Sequence, residues 1–207
     1  MRKRMLGRLL LTSLVVTGLA GTIVDNTLSN KERRFAMDLM KDTRDAAIES
    51  TRSLKDDQLD FKASPERWSV KECMYHIAGA EKLLWGMLET SMKGPATPEK
   101  KAEVKFTDEQ VIKMLEDRST KFKAPEPIQP QNTGYKSLDE AISDFKLTRG
   151  DHIKYLKNTT EDLRNHFVQT PAGTIDCYQF CLFIAAHSNR HTQQINEVKE
   201  NENFPTE

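Results

Sequence analysis

Four short signatures punctuate this chain, each a Ser, Thr or Asp followed three residues later by Glu or Gln. They are Ser69 with Glu72, Thr107 with Gln110, Ser137 with Glu140, and Asp176 with Gln179. Such a pair satisfies two of the amide groups that the first turn of a helix leaves without partners, so each marks a helix start. Behind three of them, apolar residues recur every three or four positions for several turns, the pattern of a helix with one buried face. Helices are predicted from Val70 to about Ser91, Asp108 to about Phe122, Leu138 to about Lys157 and Asp176 to about Glu200. A further helix, capped by Ser29 or Asn30, is predicted to about Ser53, with Ala36, Leu39, Met40, Thr43, Ala47 and Ser50 inward. Residues 55–67, 94–104, 123–135 and 161–175 read as polar or proline-containing connections, and no alternating strand pattern runs beyond a few residues. Four long amphipathic helices and one short helix predict an all-α protein, a helix bundle.

The 207 residues are enough for one domain, placed at residues 30–205, with a leading segment. Lys and Arg total 31, as do Asp and Glu, so no charge excess points to a nucleic acid partner. The leading segment opens with Arg2, Lys3, Arg4 and Arg8. It continues into an uncharged run, Leu9 to Ala20, with small residues Gly18 and Ala20 before a cleavage point. This is a secretory signal pattern over residues 1–20, or an N-terminal anchor if uncut, and the run is shorter than the roughly 20 residues a spanning helix needs. The expected setting is export to a periplasm or to the membrane surface of a bacterium, with no stable insertion once the signal is removed. If the segment is not a signal, the setting is cytoplasmic. The three cysteines, Cys73, Cys177 and Cys181, fall on predicted inner helix faces and read as small buried hydrophobes, not as a disulfide framework.

Five histidines are present, and two carry the sharpest chemical signal. His187 and His191 lie four apart on the last helix, so both imidazoles leave one face. That face is the apolar stripe of Phe180, Ile184, Ile195 and Val198. His76 lies close to the inner stripe of the second long helix, defined by Cys73, Ile77, Ala80 and Leu84. A bundle brings such positions into one central pocket. Three neutral imidazoles would hold a divalent ion and leave coordination positions open, as catalytic sites do. The plainer reading, three core histidines each bonded to a neighbour, fits the same spacing. Glu72, one turn before His76, is a candidate base or hydrogen-bond partner for it, or else serves only its capping box. His152 and Arg149 fall near the stripe of a third helix, where His152 is a candidate neighbour of the site. Arg190 and Gln194 are candidates to meet an anionic substrate, and Arg190 fits a surface ion pair equally well. The long connection 123–135 is of the kind that borders a site.

Two stretches carry a family resemblance. Trp68-Ser69-Val70-Lys71-Glu72-Cys73-Met74-Tyr75-His76-Ile77-Ala78 and Asp176-Cys177-Tyr178-Gln179-Phe180, the latter followed by His187-Ser188-Asn189-Arg190-His191-Thr192-Gln193-Gln194-Ile195, resemble motifs of the DinB-like superfamily. The resemblance covers about Lys31 to Pro205. It implies a four-helix bundle of up-down-down-up type and a divalent metal, zinc or nickel first and iron or manganese next, on His76, His187 and His191. It also implies a frequent homodimer. Members include metal-dependent hydrolases and thiol S-transferases. The expectation is a hydrolase acting on a small molecule, with metal-bound water as nucleophile. A thiol transferase and a non-catalytic metal- or ligand-binding bundle are the alternatives, and the signal-like segment weighs against a cytosolic thiol.

Overall fold

Every long helix among the described residues begins at a capping side chain. The computed structural model describes residues 26–206, so the signal or anchor segment read at residues 1–20 lies outside the described residues. Among the described residues the α-helices are α1 (Asn30–Glu49), α2 (Asp56–Asp60), α3 (Val70–Met92), α4 (Asp108–Glu116), α5 (Leu138–Asn158) and α6 (Cys177–Lys199), with short 3-10 turns in the connections. Ser29, not Asn30, caps α1: its hydroxyl accepts from the Glu32 amide, and Glu32 returns the bond to the Ser29 amide. The boxes at Ser69, Thr107 and Asp176 close in both directions. The one at Ser137 closes only halfway, because Glu140 accepts from the Lys136 amide instead.

Contacts at the helix ends give the directions. Tyr178 at the start of α6 donates to the Glu32 carbonyl at 2.9 Å, and Lys199 at its end donates to the Ser50 carbonyl at 3.1 Å. Helices α1 and α6 therefore run side by side and parallel. Arg33 near the start of α1 bonds the carbonyls of Leu156 and Thr159 at the end of α5. Cys177 at the start of α6 meets Ser91 at the end of α3. Tyr75 faces Tyr135 just ahead of α5, and Trp85 stacks on His152 within it, so α3 and α5 are parallel. The order is up-down-down-up, with α1 and α3 each packed on α5 and α6.

Arg149 of α5 lies at the centre of this bundle and is 0% exposed. Its Nε and Nη2 fork onto both oxygens of Glu81 in α3, each at 2.7 Å. Nη1 reaches the Met40 carbonyl and Thr43 hydroxyl of α1 at 3.1 and 2.9 Å, and Nη2 reaches the Ser188 hydroxyl of α6 at 3.2 Å. One guanidinium thus bonds all three other long helices. His152 completes the cluster, donating through Nδ1 to Glu81 at 2.6 Å while stacked on Trp85 at 3.6 Å between ring centres. Its role is here rather than among the other histidines. The apolar core lies to either side of this layer. All three cysteines are buried and free.

Two connections and one helix end differ from their sequence reading. Within the connection 161–175, β1 (Phe167–Thr170) and β2 (Gly173–Asp176) form an antiparallel hairpin pairing Val168 with Ile175, where the sequence shows no strand pattern. Each strand is four residues, too short for alternation to register, and Val168 and Ile175 are buried because the hairpin lies on the bundle. Helix α2 sits in the stretch read as a polar link. Helix α4 stops at Glu116, well short of Phe122, because Arg190 of α6 bonds the carbonyls of Leu115, Asp117 and Thr120. Carbonyls that a longer helix would pair internally find their partner across the bundle.

Removing one member of the central ion pair leaves the other charge buried and uncompensated. Glu81→Ala is expected to lower stability by about 3–5 kcal/mol. The double substitution Glu81→Met with Arg149→Met should cost less than the single one. Urea unfolding followed by circular dichroism measures both; equal losses would contradict this account.

Candidate metal centre

His76 enters the interior one turn and a half into α3, and His187 and His191 follow each other by one turn in the second half of α6. Because α3 and α6 are antiparallel neighbours, the early part of one faces the late part of the other. The three ring centres lie 5.2 Å (His76 to His187), 4.3 Å (His76 to His191) and 4.7 Å (His187 to His191) apart. One nitrogen from each ring comes within 4.8 Å of the other two. The structure therefore brings together the three histidines singled out by spacing. His76 and His191 are buried, while His187 keeps partial solvent contact. Trp68, next to the α3 cap, forms a wall with its ring 4.8 Å from His76 and 5.8 Å from His191.

Burial penalises a charged imidazole, and it is the main cause in all three rings. It pushes His76 down to about 4 against a small opposing effect of its bond to Ile128. Burial and the neighbouring His76 push His187 down to about 3, and burial with both other rings holds His191 well below the ordinary range. All three are neutral near pH 7, so each keeps a lone pair. His76 Nδ1 lies 2.7 Å from the Ile128 carbonyl, which only accepts, so Nδ1 carries the proton and Nε2 the lone pair. Three neutral nitrogen donors, with partial solvent access at one, fit a divalent ion with coordination positions left for water or substrate. Helical spacing and fold alone do not require that imidazoles occupy these positions.

Glu72 is not part of this cluster. Its carboxylate accepts from the Ser69 amide at 2.9 Å and pairs with Lys62 at 2.6 Å, while the partner it was expected to be for His76 is the Ile128 carbonyl. The capping role accounts for it. Arg190, a candidate for an anion or for a surface ion pair, instead donates to carbonyls at and just after the end of α4. Gln194 instead meets His191, its Oε1 lying 3.0 Å from Nδ1. The connection 123–135 does border the site, through Ile128 and through Thr133, whose methyl presses on Gly79 of α3. A Cβ at residue 79 would sit 2.9 Å from that methyl, so glycine lets the connection lie close to the helix. Sequence reading missed Ile128, which acts through its backbone and so leaves no side-chain signal. It also missed Glu81, which did leave one: a carboxylate four residues after Ile77, on an apolar stripe.

The profile of the DinB superfamily matches residues 39–195. YuaE of Bacillus subtilis (strain 168), named as an uncharacterized protein, is 24% identical over 165 residues, covering 79% of this chain and 97% of that one. Among solved structures, YfiT from Bacillus subtilis is similar with a TM-score of 0.59 at 13% identity, over 86% of this chain and 92% of that chain. It is described as a probable metal-dependent hydrolase with an unusual four-helix bundle topology.

The neutral triad makes the metal-free fold acid-sensitive. In the unfolded chain the imidazoles ionise near 6.5. Their folded values lie lower, so their contribution is fully present above about pH 6.5 and is lost as pH falls through the folded values, about 4 for His76 and about 3 for His187. At roughly 1.4 kcal/mol per pKa unit, His76 alone accounts for about 3 kcal/mol. Urea midpoints of chelator-treated protein should fall steadily over this range, and less steeply in His76→Phe. A flat profile from pH 7 to pH 4 would contradict neutral burial of these rings.

Proposed function

This chain belongs to the DinB superfamily, and from that premise we propose that it is a metal-dependent hydrolase of a small-molecule substrate. The observation that carries the reading is the convergence of three neutral imidazoles, His76, His187 and His191, between two antiparallel helices. The description of YfiT as a probable metal-dependent hydrolase supports the same class of reaction. His76, His187 and His191 would hold the ion. Imidazole sets of this kind suit zinc or nickel first, and iron or manganese after them. A divalent ion there would supply Lewis acidity and make a nearby water a stronger acid near neutral pH.

The chain's own residues do the rest. The Ile128 carbonyl holds the His76 ring through Nδ1 and keeps its Nε2 lone pair available. The indole of Trp68 excludes water from one side of the cluster and offers a flat apolar surface to a substrate. The partial exposure of His187 gives the side from which a small molecule would approach. The bonds of the Glu72 oxygens to the Ser69 amide and to Lys62 support a capping role for this residue. The balanced charge supports no nucleic acid partner, and the signal-like residues 1–20 support an exported setting.

Elemental analysis of the purified protein is expected to find close to one equivalent of a divalent metal. His76→Ala and His191→Ala should lose it while helicity remains. Hydrolysis of model esters and amides should follow metal content, vanish with chelator and return on reloading. Metal-free wild type that cannot be reconstituted would overturn the reading. Turnover that requires an added thiol would replace it with a thiol transferase.

A further inference from the structure

His191 is held from behind by a part of the chain that lies far from it in sequence. The Gln194 Oε1 stands 3.0 Å from His191 Nδ1 and 3.4 Å from Nη1 of Arg118. A guanidinium has donors only, so the amide atom that faces Arg118 must be the oxygen, not the nitrogen. The same oxygen faces the imidazole, so Nδ1 must be the donor and carry the ring proton. Arg118 is itself fixed. Its Nε and Nη2 fork onto Glu197 at 2.7 Å each, and Arg67 lies 3.9 Å from the same carboxylate. The segment that presents Arg118 is pinned to α6 by Arg190, through the carbonyls of Leu115, Asp117 and Thr120. Three successive anchor points of α6, Arg190, Gln194 and Glu197, thus meet one short segment after α4.

We propose that Gln194 and Arg118 are positioning residues that lock His191 with its proton on Nδ1 and leave its Nε2 lone pair for the site shared with His76 and His187. Alone, a glutamine three residues along a helix rotates freely and can present either end of its amide. Arg118 removes that freedom by accepting no hydrogen bond. His76 is locked the same way by Ile128, a carbonyl that can only accept. Two of the three rings are therefore oriented before any ligand arrives, by two different connections between the long helices. The plainer alternative is that Arg118 and Glu197 form an interhelical ion pair of small energetic weight with no bearing on the ring. The consequence for metal binding rests on the function proposed above; the tautomer does not.

The test uses long-range proton–nitrogen spectra of histidine-labelled, metal-free protein above pH 7, together with zinc titration against a chromophoric chelator. Wild type is expected to show His191 as the Nδ1–H tautomer. Gln194→Ala and Arg118→Met should shift it toward Nε2–H, and Gln194→Glu, which keeps an acceptor, should preserve it. Zinc affinity should fall roughly 10–100-fold in Gln194→Ala, less in Arg118→Met, and recover in Gln194→Glu. Unchanged tautomer in both Gln194→Ala and Arg118→Met would overturn the proposal. A shifted tautomer with unchanged zinc affinity would overturn the positioning role. Wild type that shows the expected tautomers and binds no zinc would overturn the metal reading and support the lock itself.

Discussion

A single buried guanidinium ties the four long helices together. Arg149 reaches Glu81 on α3, Met40 and Thr43 on α1, and Ser188 on α6, with no exposure to water. A charge so placed is tolerated only if every donor is matched, because the interior offers no water to replace a lost partner. Apolar contacts between helices allow sliding by a turn at modest cost. A forked ion pair does not, since a shift of one turn separates the charges. The ladder of partners therefore sets the register of all four helices at one level. His76 precedes Glu81 by five residues on α3, and His187 adjoins Ser188 on α6. The register that satisfies Arg149 is the register that brings the histidines together.

Around the histidines the long helices supply the rings and, from α6, the Gln194 amide that meets His191. The groups that fix their orientation come from the connections between the long helices: Ile128, in a single 3-10 turn of the proline-containing connection behind His76, and the segment after α4 that brings Arg118 to Gln194 behind His191. This division has a physical reason. A helix has already spent its backbone carbonyls on its own ladder, so a carbonyl free to accept from an imidazole must come from a turn or a helix end. Arg190 uses the same resource when it gathers the carbonyls at the end of α4. Near the other end of the bundle Arg164 joins Glu32, Asp108 and Asp176, each at the start of a different helix. Helix starts carry partial positive charge, which favours these carboxylates there, and their collection around one arginine binds three helix ends at once.

Helices, their starts and their inner faces were legible because capping and amphipathic spacing are local properties. Ser69, Thr107 and Asp176 begin helices where they were expected to, and Ala36, Met40 and Ala47 are buried as their spacing required. The end of α4 was not legible, since it depends on Arg190 more than seventy residues away. The hairpin at Phe167–Asp176 was not, since its strands are too short to show a period and owe their burial to the bundle beneath. Glu72 was legible as a cap and misleading as a partner of His76: proximity along a helix does not decide where a carboxylate points when a lysine and an amide compete for it.

By itself the sequence determined that the chain makes a bundle of amphipathic helices, where those helices begin, and that His76, His187 and His191 stand on or beside inward stripes. Spacing along one helix is a matter of 3.6 residues per turn and needs no knowledge of the rest. The tertiary structure alone decided that α3 and α6 run antiparallel with the three rings converging, that His76 bonds Ile128, and that Gln194 and Arg118 stand behind His191. Those facts join residues from distant parts of the chain, and what selects them is the cost of leaving a buried charge or a buried polar atom unmatched.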